Sequence, residues 1–341
     1  MDNFDSKNKI SRIRDIFMLY SNQYKREVPN MQLKGHHHIS MITKNGQRNN
    51  EFYTKVLGLR RVMMTVNQDS PDMYHLFFGD KTGAPGTELT FFEIPMAGLT
   101  HRGTNAISRI GLLIPSKESF TYWTERFTAL NVKHEMVENY TGREVLAFED
   151  HEGLRFAMFS HDQAPLQDRW QAWEGSNVPE EHRILGMGPI EIAVREPEKT
   201  LALLEAIFNY QVVEHQENWM RIQTVGGIFS EMILIQQDGP AEKPGRGSVH
   251  HLALRAKDVE QLNKWDEAIR SLGYHTSGEV DRHYFQSVYF RDDNNILFEL
   301  ATDTPGFAKD GNYEELGQTL DLPPKLEPHR EQIVARLAPL T

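Results

Sequence analysis

Four times along 341 residues, a short apolar run leads into an amphipathic helical stretch, passes through further short strands and closes on a second apolar run. The first copy opens on "HISMIT" (38–43), continues through "NGQRNNEFYTKVLGL" and closes on "TELTFFEIP" (87–95). The second joins "RIGLLIPS" (109–116) to "GLRFAMFS" (153–160) through "KESFTYWTERFTALNV". "IEIAVRE" (190–196), "PEKTLALLEAIFNYQ" and "SEMILIQ" (230–236) make the third. "HHLALRAKD" (250–258), "VEQLNKWDEAIRSLGY" and "NILFELAT" (295–302) make the fourth. Apolar residues three or four apart mark the helices, and alternation marks the strands. Each copy is a βαβββ module, one supersecondary unit of an internal repeat. A lone module leaves one face of its curved sheet uncovered, so modules must pair. Four modules give an α+β chain with two barrel-like pairs.

The repeats divide the chain. Residues 1–30 are polar and precede the pattern, which predicts a flexible extension dispensable for function. Modules one and two occupy residues 31–160, a polar linker 161–186, modules three and four 187–302, and a partly helical C-terminal tail 303–341. A formal net charge of −11 argues against nucleic acid and anionic membrane surfaces as partners. No run approaches the roughly 20 apolar residues of a membrane span, so a cytoplasmic protein is expected. The chain has no cysteine, which excludes disulfides, thiolate nucleophiles and Cys-type zinc sites. Any metal must sit on nitrogen and oxygen ligands.

Two modules begin with stacked histidines, "GHHHIS" (35–40) and "GSVHHLAL" (247–254). Side chains alternate along a strand. His38, Ser40 and Ile42 therefore share one face, with His37, Ile39 and Met41 on the other. In module four His251, Ala253 and Arg255 oppose His250, Leu252 and Leu254. In the closing strand Leu297, Glu299 and Ala301 oppose Ile296, Phe298 and Leu300. The bulkier apolar faces suit a helix-covered core, and the His and Glu faces suit a cavity wall. If module one pairs with four and two with three, His38, His251 and Glu299 can converge. A lone strand-start histidine is usually a satisfied core residue. A buried carboxylate between two imidazoles, however, is costly unless a cation resolves it. Two His and one carboxylate form the facial set of non-heme Fe(II), which leaves positions open for substrate and dioxygen. Modules two and three carry Arg109 and Glu191 at the matching positions, which predicts a scaffold without a metal site.

The four-module arrangement, with "NNEFYTKVLGLRRV", "YHLFFGDKTGAPGTELTFF", "DRHYFQSVYFRDDNNILFELATDTPGF" and "DLPPKLEPHR", resembles the vicinal oxygen chelate superfamily. That group includes glyoxalase I, bleomycin-resistance proteins and extradiol ring-cleaving dioxygenases. The motifs are most similar to the hydroquinone-type dioxygenases and cover about residues 33–341. The resemblance implies metal ligands at His38, His251 and Glu299. It further implies catalytic roles for His250 and Tyr289 and substrate-binding roles for His37 and Arg282, with His250 or His37 as candidate base. The expected partners are a small aromatic substrate and dioxygen, and a homo-oligomer is compatible with the reading. Fe(II) is the expected metal, with Mn(II), Ni(II) and Zn(II) as other ions that such a set accepts. One position departs from the relatives: Glu88, the register counterpart of Glu299, stands where they usually carry an aliphatic residue. A two-His, two-Glu set would resemble glyoxalase I, so a metal-dependent lyase or isomerase using Glu88 and Glu299 is the alternative. A sequestering module of the bleomycin-resistance kind would not need the ligand set.

Overall fold

In the computed structural model, residues 31–162, 166, 170–310 and 313–340 are described. The extension expected over residues 1–30 lies outside them. Module one comprises β1 (His36–Thr43), α1 (Gly46–Glu51), β2 (Arg60–Asn67), β3 (Ser70–Gly79) and β4 (Glu88–Glu93). Module two follows as β5 (Ala106–Ile114), α2 (Glu118–Ala129), β6 (His134–Tyr140), β7 (Arg143–Glu149) and β8 (Arg155–Ser160). Module three is β9 (Gly186–Val194), α3 (Pro197–Phe208), β10 (Gln211–His215), β11 (Trp219–Gln223) and β12 (Met232–Gln236). Module four is β13 (Ser248–Ala256), α4 (Val259–Ser271), β14 (Val280–Asp281), β15 (Phe285–Arg291) and β16 (Leu297–Pro305).

These strands make two eight-stranded sheets, ordered β14-β15-β16-β13-β1-β4-β3-β2 and β10-β11-β12-β9-β5-β8-β7-β6. Modules one and four share the first sheet, and modules two and three the second. Each is joined at its centre by an antiparallel pair of module-opening strands, β1 with β13 and β5 with β9. Alternation decides what each face carries. Ile39, Met41, Leu89 and Phe91 of the first sheet join Ile110 and Leu112 of the second in one large core with Trp123, Phe208 and Trp265 from the helices. The opposite faces hold two separate apolar clusters, one around Phe77, Phe285 and Phe307, the other around Leu113, Phe159 and Ile233.

Local signals fix the helix ends. The Asn45 side chain accepts from Arg48 N at 2.9 Å, and the Asp258 side chain accepts from Gln261 N at 2.9 Å, each satisfying a donor that a helix start leaves open. Asn209, at φ 57°, closes α3 in the left-handed conformation. The helix read from "NGQRNNEFYTKVLGL" is α-helical only to Glu51; Phe52–Val56 forms a π turn. Its wider bond, Leu57 N to Phe52 O at 3.1 Å, accompanies burial of Phe52 and Tyr53 in the core.

The tail lies along β2. Arg60 and Arg61 donate to the backbone carbonyls of Glu314, Leu316 and Gly317. Gly317, at φ +72°, approaches so closely that a Cβ would stand 1.9 Å from Arg61 O. Only glycine fits there.

Candidate metal centre

The central strands of the first sheet bring three side chains to one point. Ser40 faces His251 across β1 and β13, Ala253 faces Glu299 across β13 and β16, and His38 faces Glu88 across β1 and β4. His38 Nε2 lies 3.1 Å and His251 Nε2 2.8 Å from Glu299 Oε2, and the two nitrogens are 3.3 Å apart. His38 is 2%, His251 3% and Glu299 0% exposed, so water cannot solvate the cluster. Close as they are, these contacts do not have hydrogen-bond geometry at Glu299 Oε2, which is an orphaned buried acceptor. Ser287 Oγ donates to the other oxygen, Oε1, and fixes which one turns inward. Burial alone would push the Glu299 carboxyl up, but the His38 and His251 rings outweigh it and hold it well below the usual range. Two imidazole nitrogens and a carboxylate oxygen converging on one buried point fit a divalent cation.

His37 is not on the core side, where alternation had placed it. The β1/β13 register shifts between His36 and Ile39, and again between Ser40 and Met41 opposite His250. Each shift is a β-bulge, whose extra residue turns away from strict alternation. His37 Nδ1 thus sits 3.0 Å from His38 Nδ1, and His250 Nδ1 sits 2.8 Å from His251 Nδ1. The first pair has a defined proton position. Thr302 O, 3.2 Å from His37 Nε2, can only accept, so His37 carries its proton there. Its bare Nδ1 then accepts from His38 Nδ1–H. His38 is left with a bare Nε2 directed at Glu299. Burial, with the neighbouring His38, pushes the His37 imidazole down to about 3, so it stays neutral.

The remaining sequence candidates stand around the same cluster. Arg282 Nε donates to Tyr289 OH at 3.2 Å, with the guanidinium carbon 5.2 Å from the ring centre. Tyr289 faces Glu299 across β15 and β16, and its ring lies 5.7 Å from that of His251. Burial, then the Glu299 charge, pushes the phenol up, so it remains a neutral donor. His250 is exposed and marks the open side, whereas Phe285, 5.4 Å from the His38 ring, marks the closed one. Glu88 groups with His37 and His38 rather than with His251 and Glu299. It is buried, and desolvation, then the charges of Asp80 and Asp303, raise its carboxyl well above the usual range.

Three neighbours went unread in the sequence: His75, Ser287 and Phe285. Alternation along "YHLFFG" carries a signal for the first, because Tyr74, Leu76 and Phe78 join the large core. His75 then falls on the cavity face with Phe77. No comparable signal marks Ser287 as the partner of Glu299.

The family model for the Glyoxalase/Bleomycin resistance protein/Dioxygenase superfamily matches residues 35–158 and 186–300. "Putative ring-cleaving dioxygenase MhqA" of Bacillus subtilis (strain 168) is 45% identical over 322 residues, covering 91% of this chain and 100% of that protein. The "Chlorohydroquinone/hydroquinone 1,2-dioxygenase" of Sphingobium indicum is 28% identical over 312 residues, 89% of this chain and 95% of that one. A crystal structure described as a "putative dioxygenase" from Bacillus subtilis superposes with a TM-score of 0.84 at 36% identity, covering 91% of this chain and 98% of the other. Identity at this level over whole chains, with a model that spans both sequence halves, leaves one placement: the chain belongs to the glyoxalase/bleomycin resistance protein/dioxygenase superfamily.

Proposed function

We propose that this protein is a non-heme, metal-dependent dioxygenase of the extradiol type that opens a hydroquinone- or catechol-type aromatic ring, with Fe(II) held by His38, His251 and Glu299. The family and the His/Glu group indicate a metal cofactor. The observation that carries the rest is the buried Nε2/Nε2/Oε2 cluster of His38, His251 and Glu299, a two-His, one-carboxylate set that would hold a divalent metal through three protein donors. Bound Fe(II) supplies the redox chemistry by which dioxygen reacts with an aromatic ring. The relatives named for ring cleavage support the same reading. Glu88 does not favour the lyase alternative, because it groups with His37 and His38 and not with His251 and Glu299.

The protein's own groups bind, orient and hold protons. Arg282 brings a positive charge, and Tyr289 an O–H, to the cavity wall, where both favour a phenolate over a phenol. His37 keeps His38 in the tautomer that presents Nε2 inward. If His251 ligates through Nε2, its Nδ1–H donates to His250 Nδ1, and His250 keeps its own proton on Nε2. We therefore give His250 a donor role toward the substrate oxygen, where the sequence suggested a base. Of the two flanking histidines it alone reaches the open side.

The test is anaerobic reconstitution with Fe(II), then oxygen uptake and product analysis on a panel of hydroquinones and catechols. Mn(II), Ni(II) and Zn(II) forms run in parallel. The expected result is one O2 consumed per ring opened. No uptake on any diol, together with turnover of a glutathione hemithioacetal by the Ni(II) or Zn(II) form, overturns the proposal in favour of the lyase.

A further inference from the structure

The proposed mechanism leaves one cavity imidazole unused. His75 lies on β3, two strands from β1, and is packed against two phenylalanine rings. Phe92 stacks against it at 4.1 Å and 28°, and Phe77 packs at 4.2 Å. Its Nε2 lies 3.1 Å from Thr90 Oγ1, which is 2.7 Å from Ser40 Oγ. Ser40 in turn faces His251 across the central strands. This row of polar groups runs along the cavity face from β3 to the metal ligands, within a sheet whose other face is apolar core. Thr90 and Ser40 are fully buried, whereas His75 is half-buried. Among the described residues its Nδ1 has no hydrogen-bond partner. Desolvation, then the neighbouring His38 and His251, holds the imidazole well below its usual range, so it is a neutral group at working pH.

We propose that His75 is a substrate-contacting residue that takes the oxygen remote from the metal, and so selects diols with oxygens at opposite ends of the ring over those with adjacent oxygens. The proposal rests on the ring-cleavage reading and adds the substrate geometry. A diol bound to the metal through one oxygen must place the other a ring's length away, on a polar and uncharged wall. Two strand spacings, about 9–10 Å, separate β1 from β3. His75 reaches back toward the ligands through its bond to Thr90, and its Nδ1 is left to meet a substrate oxygen. The flanking phenylalanines fix the plane of the ring, which makes its hydrogen bond directional. A catechol has both oxygens at the metal end and leaves His75 without a partner.

The experiment is anaerobic calorimetry on the Fe(II)-loaded protein with hydroquinone, phenol and catechol, for the wild type, His75→Phe and His75→Gln. Wild type should bind hydroquinone about tenfold more tightly than phenol, the scale of one buried hydrogen bond. His75→Phe should remove that preference and leave phenol and catechol affinity and metal content unchanged, while His75→Gln restores part of it. In turnover, the KM for hydroquinone should rise about tenfold in His75→Phe with kcat within threefold. A preference retained in His75→Phe overturns the proposal. Equal wild-type affinity for hydroquinone and phenol does so too, and needs no variant. A wild type that opens no ring but binds hydroquinone preferentially through His75 would overturn the ring-cleavage reading alone.

Discussion

Where the β1/β13 sheet gathers two imidazoles around Glu299, the β5/β9 sheet gathers hydrogen-bond donors around Glu191. Arg109 Nε stands 3.8 Å from Glu191 Oε2, Tyr140 OH donates to that same oxygen, and Ser108 Oγ donates to Oε1. Nearby, Arg143 and Gln223 donate to Glu231, and Arg143 lies 4.8 Å from the centre of the Phe159 ring. Both sheets thus carry a buried carboxylate beside the central strand pair. In the second, every carboxylate oxygen just named receives a proton donor. In the first, Glu299 Oε2 faces the Nε2 atoms of two imidazoles. The backbone plan is common to both, so competence for a cation depends on the side chains around the carboxylate: imidazoles, which can ligate, in the first sheet, and guanidinium and hydroxyl donors in the second.

The largest effect should come from breaking the first sheet and sparing the second. Glu299→Gln replaces a charged ligand by an amide and should weaken Fe(II) binding more than about 100-fold, beyond the range seen for outer partners of a metal ligand. Oxygen uptake should fall to background. Glu191→Gln should leave Fe(II) affinity, measured by chelator competition, within twofold; a comparable loss there would mean that the two sheets are not independent.

A smaller effect, of the opposite kind, is expected from Arg143→Met. It leaves the Glu231 carboxylate, 1% exposed, without its cation. Loss of one partner of such a pair costs about 2–3 kcal/mol once the partial exposure of Arg143 is allowed for. Thermal unfolding should show it as a lower Tm, with metal affinity and ring cleavage intact in the folded protein. An unchanged Tm would show that the second sheet does not depend on its charge network.

The smallest effect should follow Glu88→Ile. The buried carboxyl, raised well above its usual range, groups with His37 and His38, so an apolar residue removes an orphaned acceptor without removing a ligand. Fe(II) affinity should change by less than about threefold, and stability should hold or rise slightly. Loss of the metal would make Glu88 a ligand and erase the asymmetry drawn between its position and that of Glu299.

Much of this contrast is legible in the sequence. The repeat gives the modules. Alternation places His38, His251 and Glu299 on one face, and Arg109 and Glu191 mark the other pair as different. The illegible parts have a physical cause. Alternation presumes an unbroken register, and the bulges at His37 and His250 break it without a glycine or proline to announce them. Partners such as Ser287 and Thr302 are fixed by strand neighbours far away in the chain. His75 was readable by the same alternation, but it lies on an inner strand of its module, away from the opening and closing runs that define the repeat.

The nesting of one module pair inside the other also dictates an order of assembly. His38 and His251 are 213 residues apart in the chain. During synthesis β1 must wait for β13, while β5 and β9 become available to each other much earlier. Closing so long a loop is an entropic cost that non-local pairing repays only late. The cation site is therefore among the last parts of the molecule that can exist, completed only once Glu299 has left the ribosome, and the β5/β9 pair is the platform on which it can close.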